Sequence, residues 1–252
     1  MNNINRLTLS IYVLTLSLLA TGSVLLADEE QHWSYSGETG PENWGKLSSE
    51  FVACGIGLNQ SPIDITKTFA TDLDTLQFNY QSRSTVIVNN GHTLQINAGS
   101  DSWLSAGGER FQLIQLHFHS PSEHRINGEI FPLEGHFVHQ NKSGALAVVS
   151  VLFRAGEWNT GLERFGSAAP KELHQPVPID VDFANMELYR NHEAYYRYNG
   201  SLTTPPCTEG VQWYVLKEPG HIAPEQAAEF VALIGEDARG TQPINARIVL
   251  EK

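Results

Sequence analysis

The chain has 252 residues, with 16 Lys and Arg against 28 Asp and Glu and a formal net charge of −12. A surface that acidic repels phosphate backbones and anionic lipids, which argues against nucleic acid as a partner. The length suffices for one large core or two small domains.

One basic residue, Arg6, precedes a largely apolar, uncharged run from Leu7 to Ala27, which Asp28-Glu29-Glu30 ends abruptly. This reads as a secretory signal over residues 1–27, cut after Ala27 or after Gly22. A run of that length also fits an uncleaved membrane anchor, but its Thr and Ser content favours the signal. No later segment resembles a membrane span, so the expectation is a periplasmic or secreted protein with no stable span after cleavage. Residues 28–252 contain no linker, charge block or internal repeat, and read as one domain. Its two cysteines, Cys54 and Cys207, form an even pair. In an oxidising compartment that reads as one disulfide, worth about 2–4 kcal/mol, with two unpaired core thiols as the alternative.

Short β-rich runs follow: Leu76–Tyr80, Thr85–Asn89, Thr93–Asn97, Phe111–His119, Gly135–His139, Leu146–Phe153 and Val211–Leu216. Asn89-Asn90-Gly91 between the second and third predicts a hairpin. Ala106-Gly107-Gly108 and Asn141-Lys142-Ser143-Gly144 predict further turns. Helical pattern is confined to Gly161–Ala168 and Pro224–Ile234, the latter with Pro224 near its start and Glu225 in its first turn. The expected fold is mainly β within the α+β class. A single domain is built on a large, twisted, mostly antiparallel central sheet with short peripheral helices and a cleft above one face.

Residues two apart in a strand point the same way. His117 and His119 therefore share a face with Gln115, and Glu134 shares one with His136. Three imidazoles from neighbouring strands, two of them preceded by a hydrogen-bond acceptor, suit a catalytic zinc, which takes three protein ligands and leaves a fourth position open. Of the 10 histidines, His32, His174, His192 and His221 stand singly and carry no assignment. Parity turns His139 away from His136. His124, after Glu123 in a turn-like context, reads as a buried structural residue.

The segments Gln60-Ser61-Pro62-Ile63-Asp64-Ile65, Asn89-Asn90-Gly91-His92, Gln115–His119, Ser122-Glu123-His124, Glu134–His139 and Ser201-Leu202-Thr203-Thr204-Pro205-Pro206 resemble, in order, the signature blocks of the alpha-class carbonic anhydrases. The likeness runs from about His32-Trp33 to Gln242-Pro243-Ile244-Asn245. His119-Ser120-Pro121-Ser122-Glu123-His124 and the two cysteines resemble the bacterial and plant branch. The resemblance implies zinc-dependent, reversible hydration of carbon dioxide to bicarbonate and a proton, by a zinc-bound hydroxide. It implies zinc on His117, His119 and His136, with Gln115 holding His117, Glu134 holding His136 and a backbone carbonyl at Asp237, where asparagine is expected, holding His119. It also implies that Thr203 orients the hydroxide with Glu123 as its partner, and that His92 shuttles protons along a water path lined by Tyr35, Asn90 and Gln95. The implied substrate wall is Val138, Val148, Leu202, Thr204, Val211 and Trp213. Val138 also shares strand parity with His136, whereas core packing explains the other apolar residues equally well. Exported relatives allow a homodimer.

Two other readings compete. His117-x-His119-x-x-x-Glu123 resembles a cupin iron or manganese site, although the upstream glycine of that pattern is missing. A non-catalytic binding module is the second, although such modules typically lack one of the three histidines. Esterase activity would be incidental to the same zinc site.

Overall fold

The computed structural model describes residues 32–81, 84–183 and 192–252. The segment 1–27 read as a signal lies outside the described residues. Two short helices, α1 (Trp44–Leu47) and α2 (Val52–Ile56), come first, followed by β1 (Asp64–Ile65), β2 (Phe69–Ala70), β3 (Gln77–Asn79), β4 (Ser84–Asn89), β5 (Leu94–Asn97) and β6 (Trp103–Ala106). The long strands β7 (Glu109–His119), β9 (Leu133–Gln140) and β10 (Leu146–Ala155) form the centre, with the short β8 (Arg125–Ile126) between the first two. Then come α3 (Thr160–Ala168), β11 (Val177–Asp180), β12 (Tyr195–Ser201), β13 (Glu209–Leu216), β14 (Gly220–Ile222), α4 (Pro224–Ile234) and β15 (Leu250–Glu251).

Among the described residues, one 13-stranded sheet runs in the order β11-β4-β5-β7-β9-β10-β13-β12-β15-β2, with β6, β3 and β14 attached beside this path. Most ladders are antiparallel, as expected; β10–β13, β10–β14 and β15–β2 are parallel. The hairpin at Asn89-Asn90-Gly91 joins β4 to β5, with Asn89 opposite Leu94. Gly91 takes φ +87° there, a conformation that a side chain resists. Both predicted helices are present. Asn159 caps α3 by accepting from the N–H groups of Gly161 and Leu162.

The sheet separates two apolar layers. On one side Leu116, Phe118, Phe137, Val149, Val151 and Phe153 pack with Leu162, Phe165 and Phe230 of the helices. On the other, Val148, Leu152, Val211, Trp213 and Val215 pack with Ile63, Ile65 and Tyr198. Strand β7 changes parity part-way along, so that its apolar residues all reach the first layer. Phe111 and Leu113 are buried in the first layer, Ile114 is exposed, and then Leu116 and Phe118 are buried in that same layer. A register shift between Leu113 and Gln115 marks the bulge responsible. Without it, Phe111, Leu113, His117 and His119 would all share one face.

Cys54 and Cys207 are joined by a disulfide across 153 residues. It ties α2 to the loop after Ser201-Leu202-Thr203. A loop that long removes considerable freedom from the unfolded chain, about 5 kcal/mol in the chain-entropy description. Among the described residues, no helix is long and apolar enough to cross a membrane.

Candidate active site

Register brings the three histidines together. His117 on β7 lies directly opposite His136 on β9, and His119 lies opposite Glu134. One ring nitrogen from each of His117, His119 and His136 falls within 4.8 Å of the others. His119 and His136 are almost completely buried, and His117 is partly exposed on the open side.

The remaining ring nitrogens are all held from behind. His117 Nδ1–H donates to Gln115 Oε1 at 2.8 Å, His119 Nδ1–H to the Asp237 backbone oxygen at 2.8 Å, and His136 Nε2–H to Glu134 Oε1 at 2.7 Å. Each bond spends the ring's single proton, so Nε2 of His117, Nε2 of His119 and Nδ1 of His136 face inward as bare lone pairs. His117 Nε2 and His119 Nε2 stand 3.1 Å apart with no proton to share. A tetrahedral ion with Zn–N bonds of about 2.0–2.1 Å places its ligands roughly 3.3 Å apart, so this donor set fits such a cation. Burial holds the His117 pKa well below the usual imidazole range, and its two neighbouring rings add to the effect. Burial likewise pushes His136 down to about 4 against the pull of Glu134. Both rings are thus neutral at neutral pH, as metal ligands must be.

Glu134 is the most heavily bonded group in the site. Its Oε1 accepts from His124 Nδ1 at 2.6 Å, His136 Nε2 at 2.7 Å and Ser150 Oγ at 2.6 Å. Its Oε2 accepts from the backbone N–H groups of Glu123 and His124, each at 2.8 Å. Burial alone would raise its pKa, but His124, His136 and these bonds hold it well below the carboxylate range. His124, Glu134 and His136 also form a second cluster of donor atoms, but these hydrogen bonds occupy both oxygens. Because His124 Nδ1 donates to Glu134, its Nε2 must accept from Tyr198 Oη, 2.6 Å away. Tyr198 in turn accepts from Ser61 Oγ at 2.8 Å, which accepts from Ser201 N at 3.1 Å. One directed chain of hydrogen bonds therefore runs from the start of the Thr203 loop to Glu134, the acceptor that also holds His136. Gly200 allows this close packing, since a Cβ there would meet Ser61 Oγ at 2.1 Å.

Glu123 is buried beside the trio, its Oε2 lying 3.5 Å from His119 Nε2 and 4.0 Å from His136 Nδ1. Its Oε1 accepts from Arg239 N at 3.0 Å. Thr203 is close enough to favour the charged carboxylate, yet completes no hydrogen bond to Oε2, which has no partner. Burial and the charge of Glu134 push Glu123 up to about 8. Asp237 Oδ1 accepts from Ser120 N at 2.7 Å, whereas its Oδ2 is unpartnered 3.6 Å from His119 Nδ1. Burial raises Asp237 to about 7.

Val148, Val211 and Trp213 lie in one apolar cluster, against which Val138 and Leu202 pack. Val148 faces Val138 on one side and Trp213 on the other, and the Trp213 ring centre is 4.9 Å from that of His136. Thr204 follows, half-buried, in the loop pinned by the disulfide. His92 stacks flat on Trp33, with ring centres 3.7 Å apart, and Tyr35 packs edge-on beside it. Asn90 Oδ1 accepts from the N–H groups of His92 and Thr93, so it shapes the turn that carries His92. Gln95 lies opposite His117 and donates to Asn97. His139 is on the far face, buried, bonded to Tyr80 Oη at 2.5 Å and to Ala147 O at 3.2 Å.

Sequence reasoning assigned no function to Ser150, Tyr198 or Arg239. Arg239 is buried, and its guanidinium donates to Gln60, Ser61 and Cys54. It joins the disulfide region to the Glu123 loop. Strand parity alone could have placed Ser150, which shares a face with Val148; the other two depend on contacts distant in the chain.

The eukaryotic-type carbonic anhydrase family matches residues 39–252. The carbonic anhydrase of Pectobacterium atrosepticum is 41% identical over 225 residues, covering 89% of this chain and 92% of that one. That of Neisseria gonorrhoeae is 43% identical over 222 residues, covering 87% and 88%. The solved alpha-carbonic anhydrase of Thermovibrio ammonificans, in complex with the inhibitor sulfanilamide, is 44% identical with a TM-score of 0.81, covering 87% of this chain and 99% of that chain. Matched along nearly all of its described length by sequence and by fold, this chain belongs to the alpha, or eukaryotic-type, carbonic anhydrases, a family of enzymes.

Proposed function

We propose that this chain catalyses the reversible hydration of carbon dioxide to bicarbonate with a zinc ion held by His117 Nε2, His119 Nε2 and His136 Nδ1. The observation that carries the reading is the set of three inward lone pairs, each fixed by a hydrogen bond on the opposite ring nitrogen. Zinc bound there would supply a solvent-derived nucleophile near neutral pH. Gln115, the Asp237 carbonyl and Glu134 fix the tautomers and orientations of the three rings. Glu123 is the carboxylate that would be charged beside a bound cation. As a charged group it could only accept, so with a cation in place Thr203 Oγ1 would donate to it and turn its own lone pair toward the metal-bound nucleophile. That arrangement selects a nucleophile with a proton to give and aims it at the substrate. Val138, Val148, Leu202, Val211 and Trp213, with Thr204 at the edge, exclude water and hold apolar carbon dioxide beside the trio. A ring nitrogen of His92 accepts the proton released in each cycle and passes it to buffer, as an imidazole placed beside a turn can. Tyr35, Asn90 and Gln95 border the path.

Residues 28–252 form the catalytic domain in this reading, and 1–27 a signal peptide directing it to the periplasm or outside the cell. The Cys54–Cys207 disulfide supports an oxidising compartment. The test is metal content with stopped-flow hydration. Stoichiometric zinc, and activity that is lost on chelation and restored by zinc, is the expected result. His119→Ala should lose both, and a fully active, zinc-loaded His119→Ala protein would overturn the assignment.

A further inference from the structure

A second polar cleft, of about 820 Å³, opens between the ends of β12 and β13 and the segment leading into β15. Arg197, Asn199, Gly200, Gly210, Gln212 and Arg247 line it. The ladder breaks here, with a register shift between Gly200 and Ser201 and Gly210 at φ +94°. Arg197 and Asn199 stand on the sheet face opposite Tyr198, as Gln212 does opposite Trp213.

The lining has an unbalanced hydrogen-bond inventory. Arg197 donates to Asn199 Oδ1 at 2.7 Å and to Gln212 Oε1 at 3.2 Å. Arg247 donates to the backbone oxygens of Ile244, Asn199 and Pro243. Both guanidinium groups thus meet only neutral oxygens and retain N–H groups, since each has five. Gln212 Oε1 also accepts from Tyr214 Oη, so the amide oxygens of Asn199 and Gln212 are taken while their N–H₂ groups remain available. Among the described residues, no carboxylate lines the cleft. The acid that Arg247 feels is Glu209, whose oxygens are committed to Asn59 and Gln60. In a chain with net charge −12, two half-buried arginines that donate only to neutral oxygens make the cleft rich in donors and poor in acceptors.

We propose that this cleft binds a small oxyanion of the bicarbonate or phosphate class, held by Arg197 and Arg247 with the Asn199 and Gln212 amides. Planar guanidinium groups are suited to such ligands. The test is calorimetric titration of the zinc-loaded protein with inorganic phosphate and, separately, with bicarbonate, at constant ionic strength set by chloride. Saturable binding is expected for at least one anion, weakened about tenfold or more in Arg197→Gln and largely kept in Arg197→Lys. Which titrant binds tighter distinguishes the two sources. Gln212→Met, which removes an amide donor without changing charge, should weaken binding severalfold and provides a second reading should Arg197→Gln fold poorly. Arg197→Gln should hydrate carbon dioxide at the wild-type rate without added anion. No saturable binding to the wild-type protein, or equal binding to Arg197→Gln or Gln212→Met, would overturn the proposal.

Discussion

Replacing Glu134 by Gln tests the central claim about how the ligand trio is held. The native carboxylate accepts five hydrogen bonds, from His124, His136 and Ser150 on Oε1 and from two backbone N–H groups on Oε2. Glutamine offers one acceptor oxygen and one donor N–H₂ in the same volume. If its oxygen takes the Oε1 position, the amide meets the N–H groups of Glu123 and His124, and two buried donors lose their acceptor. At about 1–3 kcal/mol for each orphaned group, the cost is roughly 2–6 kcal/mol, a large part of a typical total of about 5–15 kcal/mol. If the amide turns round, its N–H₂ forces His136 Nε2 to become an acceptor. The ring proton then moves to Nδ1, where it blocks the inward lone pair. Metal affinity should fall by about 10–100-fold or more in that case. Thermal unfolding and zinc affinity by chelator competition, measured on the same variant, separate the two outcomes. The melting temperature should drop by at least about 4 °C, or the metal should be lost. A variant unchanged in both would refute the hydrogen-bond argument for this site.

Thr203→Ala should retain stoichiometric metal while slowing hydration on the order of 100-fold; undiminished activity would remove Thr203 from the mechanism. His92→Ala should keep its metal and turn over at least about tenfold more slowly in dilute buffer, with added imidazole restoring the rate, whereas unchanged turnover in dilute buffer would refute the shuttle. His139 is held neutral by burial, with its pKa lowered to about 3. Its contribution to stability is complete above pH 6.5 and is lost progressively as the pH falls toward 3. Between pH 7 and pH 5 that loss is about 2 kcal/mol. Denaturant titrations of His139→Gln should therefore show a correspondingly shallower decline in stability over that interval, and parallel declines would exclude His139 as the cause.

The sequence alone determined the elements of the site that depend on local periodicity. Two-residue alternation was enough to group His117 with His119 and Gln115, to group His136 with Glu134 and Val138, and to turn His139 away. The Asn89-Asn90-Gly91 turn and the start of α4 were equally legible, because Gly91 and Pro224 act within a few residues of themselves. The strands β11, β12, β14 and β15 lack a strong alternating pattern, and β11, β14 and β15 pair with strands far back in the chain, β4, β10 and β2 among them. The tertiary structure decided the rest. The bulge at Ile114 puts Phe111 and Leu113 on the face opposite His117, and strand parity cannot reveal it because the extra residue is defined only by the partner strand β9. The Asp237 carbonyl behind His119 is 118 residues away, and any residue type could supply a carbonyl there. Tyr198 and Ser61, which orient His124 and through it Glu134, look like ordinary core polar residues until register brings them together. Side-chain direction along one strand is a local property. The closing of a hydrogen-bond network over large sequence separations is decided only when the sheet has assembled.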